Sequence, residues 1–142
     1  MKKVIRNILI AGGIATLALV LSGCDANPPK AALAIIGQVG GKCAEGICET
    51  QFTVYDDGTT SDPEIDFDVT PLVNAIEESN LRESSIDPNG FCQSYVDGRD
   101  LTIQVPAWDE EVYSPCKFLG GADDPLTIVA QDMFYKLNRE IT

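Results

Sequence analysis

LAIIGQVGGKCAEGICETQFTVY, residues Leu33 to Tyr55, is the stretch on which the fold turns. Strand-forming runs, Leu33 to Val39 and Gln51 to Tyr55, flank Cys43 and Cys48, and Ala44-Glu45-Gly46-Ile47 between the cysteines suits a hairpin loop. If Cys43 faces Cys48, then Val39 faces Phe52 and Gly37 faces Val54, while Lys42 faces Glu49 and Gln38 faces Thr53 on the other side. One face is then apolar and carries both cysteines; the other is mostly polar, with an opposite-charge pair. Side chains alternate across a strand, so the parity of the register decides this sorting.

Working outward, Asp56-Asp57-Gly58 is a turn signal, and Glu64-Ile65-Asp66-Phe67-Asp68-Val69 alternates acid with apolar residue at period two. That pattern predicts a half-buried strand with Ile65, Phe67 and Val69 inward. Thr70-Pro71 then opens a helix, with threonine as its cap and Leu72, Val73 and Ile76 on its apolar face. Asp87-Pro88-Asn89-Gly90 is a further turn. Asp97-Gly98 between Phe91–Val96 and Arg99–Val105 predicts a second hairpin, with Leu101, Ile103 and Val105 sharing a face. Asp124-Pro125 starts the last helix, from about Pro125 to Arg139, whose Leu126, Val129, Ala130, Met133, Phe134 and Leu137 recur at helical spacing. The expectation is α+β: a small, mainly antiparallel sheet of two hairpins plus a strand, with two helices packed on it, stapled by disulfides.

The 142 residues carry 10 basic and 22 acidic side chains, a net charge of −12, and no histidine. That length suits one domain with its own core. A surface this acidic repels phosphate, which argues against nucleic acid as a partner. The missing histidine excludes Ser-His-Asp and Cys-His catalysis and every His-ligated metal site. No phosphate-binding glycine loop and no Ser-x-x-Lys occurs. The expectation is therefore a non-enzyme with no cofactor.

The amino-terminal segment reads differently. Lys2, Lys3 and Arg6 precede an apolar run from Ile8 through Leu21, broken only by Thr16; Ser22, Gly23 and Cys24 follow. A basic start, a short apolar stretch and small residues at its end are the parts of a secretory signal. The run is shorter than the ~20 residues that comfortably span a bilayer. Leu21-Ser22-Gly23-Cys24 resembles the lipobox of bacterial lipoproteins. The resemblance implies removal of residues 1–23 and acylation of Cys24, which would hold the chain on a lipid bilayer. Two or three acyl chains suffice for stable anchoring where one does not. In the lipoproteins of enteric bacteria an aspartate after that cysteine resembles an inner-membrane retention signal, so Asp25 favours that membrane. Loss of the signal, with its three basic and no acidic residues, takes the charge from −12 to −15. Residues 24–32, with Pro28-Pro29, are then a lipidated tether, and 33–142 a single domain facing the periplasm.

Under that resemblance four of the five cysteines remain: Cys43, Cys48, Cys92 and Cys116. An even number in an exported chain predicts two disulfides, in any of three connectivities. The hairpin register above favours Cys43–Cys48 and hence Cys92–Cys116. The spacing is not Cys-x-x-Cys, and a four-thiolate zinc site does not suit an oxidising compartment.

Two further groups are candidate sites. Asp56, Asp57, Asp62, Glu64, Asp66 and Asp68 crowd into one segment and offer oxygens to a calcium ion, although the order is not that of an EF-hand loop. The wet face of a strand accounts for the same alternation. Trp108 and Tyr113, beside the acidic run Asp109-Glu110-Glu111, are candidates for a recognition loop, against a reading in which Trp108 folds onto the core. Together these readings point to an envelope lipoprotein acting as a protein-binding or structural module. The alternatives are an inhibitor or immunity protein whose acidic face meets a basic envelope enzyme, and a carboxylate-based, calcium-assisted enzyme.

Overall fold

The structure, a computed structural model, describes residues 29–43, 46–61, 66–96 and 98–140, without the side chains of residues 42–47 and 138–140. The signal segment, Cys24, Asp25, the first part of the tether, Asp62, Glu64, Ile65, Asp97 and the Cys43 side chain lie outside the described residues.

Three strands form one antiparallel sheet in the order β2-β1-β3: β1 is Ala32–Cys43, β2 is Gly46–Tyr55 and β3 is Arg99–Gln104. The expected β1–β2 hairpin is present, but its register is three residues away from the expected one. Ile36 faces Phe52 and Ala34 faces Val54, in place of Val39 and Gly37. An odd shift turns the other side of β1 to the core. The observed register lines up fully buried side chains across all three strands. Ala34 and Ile36 are fully buried beside Phe52 and Val54, and Ile36 also faces Ile103 of β3.

The hairpin absorbs the shift in a bulge. Val39 pairs with Glu49 and Lys42 with Ile47, so Gly40 and Gly41 together stand opposite Cys48. Both glycines have positive φ, 108° and 86°, which a side chain would resist. Lys42 consequently faces Ile47 and Cys43 faces Gly46, not Glu49 and Cys48. Cys48 is buried and disulfide-bonded, its partner sulfur lying outside the described side chains.

The second hairpin does not form. Residues Gln93–Val96 curl into a 3-10 turn, closed by the Gly98 N–H on the Gln93 carbonyl at 2.8 Å. The cause is Asp100: its carboxylate oxygens accept the N–H groups of Gln93 and Ser94 at 2.8 and 2.7 Å. Those donors are thereby diverted from a strand ladder, and β3 takes β1 as its partner. Leu101, Ile103 and Val105 do share the core face. The stretch read as a strand over Glu64–Val69 contributes, among the described residues, one bridge from Asp66 to Thr59 and the Phe67 N–H on the Gly58 carbonyl. Its alternation holds: Asp66 and Asp68 are exposed, while Phe67 and Val69 pack on the core.

Helix α1 spans Thr70–Glu78 and α2 spans Pro125–Glu140. Threonine is the first residue of α1 and not its cap. Asp68 supplies the acceptor, its Oδ1 taking the Thr70 N–H at 3.0 Å. Leu72 and Ala75 form the buried side of α1, and Val73 stands outside the core. At α2 the Asp124-Pro125 start is as expected, with Leu126 N–H on Asp124 Oδ1 at 3.0 Å. Leu126, Ala130, Met133, Phe134 and Leu137 are buried, and the Phe134 ring lies 6.1 Å from that of Phe52. Both helices thus bury their apolar sides in one cluster with the inner face of the sheet. The molecule is a small disulfide-stapled α+β domain.

Candidate functional site

The Cys92–Cys116 bond, 2.03 Å between sulfurs, ties the segment after α1 to the segment before α2. Around it the chain runs as two adjacent stretches. Ile86 bridges Phe118, the Asp87 N–H reaches the Lys117 carbonyl at 2.8 Å, and the Leu119 N–H reaches the Ser85 carbonyl at 3.0 Å. Cys92 itself is buried, and the turn that follows it is held from beneath by Asp100. The two sulfurs and an Asp100 oxygen lie within 4.8 Å of one another, the single such group of candidate metal ligands among the described residues. Its chemistry is already committed. The S–S bond uses both sulfurs, and each Asp100 oxygen accepts a backbone N–H. The cluster serves as a structural knot.

On this knot the turn presents apolar side chains to solvent. Phe91, Tyr95 and Val96 are 56%, 65% and 58% exposed, and the Phe91 and Tyr95 rings meet edge to face with centroids 6.4 Å apart. The turn abuts β1 at its bulge, where a Cβ on Gly40 would stand 2.7 Å from Ser94 Cβ and 2.3 Å from the Gly98 carbonyl oxygen. Three large apolar groups within six residues, on a turn tied by a disulfide and two charge-assisted hydrogen bonds, form a preorganised surface.

The acidic candidates are arranged differently. Asp57 pairs with Lys30 at 2.8 Å, and its Oδ1 accepts from both the N–H and the hydroxyl of Thr59. The Lys30 hydrogen bond first, then those from Thr59, pulls the Asp57 carboxyl from its ordinary 3.8 to about 2. Asp56 Oδ1 accepts the Ala31 N–H at 3.2 Å, and the Asp56 N–H returns to the Ala31 carbonyl at 2.9 Å. Asp68, one residue before the Val69 N-cap of α1, accepts the Thr70 N–H, which holds its carboxyl below the ordinary range. Asp66 is exposed beside Thr59. These carboxylates therefore clamp the start of β1 onto the turn at Tyr55–Thr59 and hold the backbone at the start of α1. Asp62 and Glu64 lie outside the described residues.

Trp108 and Tyr113 turn inward. Tyr113 is 3% exposed, sits edge to face with Trp108 at 5.7 Å, and donates its hydroxyl to Asp109 Oδ2 at 3.0 Å. Burial first, and Asp109 second, pushes its phenol up to about 12. Trp108 is half-buried against the core. The recognition-loop expectation thus gives way to core packing, because Tyr113 bridges to Ile103 of β3 and fills the corner between Trp108 and Phe118.

The exposed residues Phe91, Tyr95 and Val96 were not evident as a surface from the sequence, where they read as a strand of a hairpin. No local signal marks them, because Asp100 falls on the polar side of the alternation in which Leu101, Ile103 and Val105 face the core. Comparison with protein-family models, curated proteins and solved structures finds no match to this chain.

Proposed function

We propose that the chain is a lipid-anchored protein of the bacterial cell envelope. In this reading residues 1–23 are removed, Cys24 is acylated, and the domain is a non-catalytic protein-binding module facing the periplasm, with Asp25 favouring the inner membrane. The anchoring reading rests on Leu21-Ser22-Gly23-Cys24. The Cys92–Cys116 disulfide is in keeping with an oxidising compartment. The binding reading rests on one observation, the exposed Phe91–Tyr95–Val96 turn. Exposed aromatic groups on a rigid support are typical anchors of protein interfaces, where ordering costs are small.

Site-specific photocrosslinking in bacterial cells tests this. A benzophenone side chain replaces Tyr95 in the full chain or, as control, Tyr135, which is also exposed, at 55%, on α2. The expected result is a discrete protein adduct from position 95 that position 135 does not give. Absence of an adduct at both positions would contradict a binding role.

A further inference from the structure

Asp87-Pro88-Asn89-Gly90 leads directly into Phe91 and Cys92. The Gly90 N–H reaches the Asp87 carbonyl at 3.0 Å, closing a β-turn, and the Asn89 N–H reaches Asp87 Oδ1 at 2.8 Å. Packing demands glycine at position 90. A Cβ there would stand 2.8 Å from the Cys116 carbonyl oxygen and 3.1 Å from that of Asp87, both main-chain atoms. Asn89 is exposed, and its side-chain amide makes no hydrogen bond among the described residues. It is also the one asparagine in the sequence that precedes a glycine. The close approach to Cys116 therefore sets a main-chain nitrogen that no side chain shields beside a free, solvated amide. Asn74 and Asn80 stand in other surroundings. Asn74 lies inside α1 and precedes the buried Ala75. Asn80 has its N–H on Asp124 Oδ2 and precedes the fully buried Leu81.

We propose that Asn89 is a site of spontaneous modification, at which the side-chain amide is lost and the main chain ahead of Phe91 is lengthened. Water is the co-reactant. When the turn opens, hydroxide takes the Gly90 N–H proton and the nitrogen attacks Asn89 Cγ. The N–Cγ bond forms, and the Cγ–Nδ2 bond breaks as Nδ2 takes a proton from water and leaves as ammonia. The result is a five-membered cyclic imide. Water then opens the ring at either carbonyl. Cleavage between the nitrogen and Cγ leaves aspartate; cleavage between the nitrogen and the Asn89 carbonyl carbon leaves isoaspartate, with Cβ inserted into the main chain. Nothing is oxidised or reduced, and the net change is an amide NH₂ exchanged for OH. The hydrogen bond from Gly90 to the Asp87 carbonyl restrains the attacking nitrogen, so opening of the turn sets the rate. The two products differ in consequence. Aspartate adds only a charge at an exposed position. Isoaspartate adds a carbon where Gly90 already presses on Cys116, and it disturbs the pairing of Asp87 with Lys117. This chemistry needs no partner protein and stands apart from the protein-binding reading.

The test ages the full chain in detergent, in warm and mildly alkaline buffer, and follows it by mass spectrometry of its peptides. The expected result is the mass gain of NH₂ replaced by OH at Asn89, in two isomeric peptides that separate by chromatography, at a rate that rises in proportion to hydroxide. Asn74 and Asn80 should stay unchanged over the same interval. Asn89→Gln keeps the amide at an exposed position but would need a larger ring, and it should abolish the change. The isoaspartyl chain should melt several degrees below the fresh chain, whereas Asn89→Asp, with the same added charge and an ordinary main chain, should melt with it. A mass gain at Asn89 in urea but not in the folded chain would overturn the proposal, as would equal rates at Asn74 or Asn80. Aspartate as the single product, or an isoaspartyl chain that melts with the fresh one, would overturn the lengthening of the main chain and its effect on the turn.

Discussion

Asp124 joins the ends of both helices with one carboxylate. Oδ1 accepts the Ser79 hydroxyl at 2.8 Å and the Leu126 N–H at 3.0 Å, while Oδ2 accepts the Asn80 N–H at 2.8 Å. It therefore caps α2 and satisfies the chain just past α1, from a site that is almost wholly buried. Asp124→Ala strands these donors and should lower unfolding free energy by about 3 kcal/mol, read by urea denaturation; Asp124→Asn, which keeps one acceptor, should cost less. Asp57 works at the surface, with a different signature. Its carboxyl is depressed from 3.8 to about 2 in the fold, so its stabilisation is present above 3.8 and is lost as pH falls through about 2. Lys30→Met removes the largest cause. The Asp57 carboxyl, followed by NMR, should then titrate closer to 3.8, and an unchanged midpoint would contradict the clamp. Tyr113 has the opposite sign: its raised phenol favours the fold below pH 10 and loses that contribution as pH rises through about 12.

The elements differ in how much of them local pattern could reveal. Helix α2 was legible because its stripe and its Asp124-Pro125 start are local, and β3 because Leu101, Ile103 and Val105 alternate within one strand. The β1–β2 register was not. It depends on whether Ile36 or Val39 meets Phe52, and on the Gly40–Gly41 bulge that shifts the ladder by a residue. The cysteine pair suggested a symmetrical hairpin, whereas burial of Ile36 between Phe52 and Ile103 outweighs it. The Phe91–Val96 stretch was misread for a related reason. Nothing in its own residues shows that Asp100 draws two of its N–H groups into a turn. That turn and its disulfide are expected to act together. Cys92→Ser with Cys116→Ser opens a loop with a sequence separation of 24 and should cost about 3 kcal/mol in thermal unfolding. Loss of much less would mean that the Asp100 hydrogen bonds hold the turn without the bridge.

At the scale of the whole molecule, the acidic segments at Asp56–Asp57 and Asp109–Glu111 gather near the start of β1, and the apolar turn lies towards its other end. If Cys24 is acylated, the six residues from there to Lys30 reach at most about 20 Å when extended. The carboxylates would then face the bilayer at short range, where anionic headgroups repel them, and the Phe91–Tyr95 surface would point away from the membrane. The candidate site was thus only half legible: Leu21-Ser22-Gly23-Cys24, which resembles a lipobox, is a local pattern, while the exposed Phe91–Val96 surface arises from a turn that no local pattern announces. Everything about this orientation depends on the lipid at Cys24. The most direct test is mass spectrometry of the amino-terminal peptide of the full chain, expressed in bacteria and extracted from their membranes. The account predicts a peptide that begins at Cys24 and carries the mass of a diacylglycerol on sulfur. A peptide that continues upstream through Gly23, or a Cys24 sulfur bonded to Cys48, would contradict it.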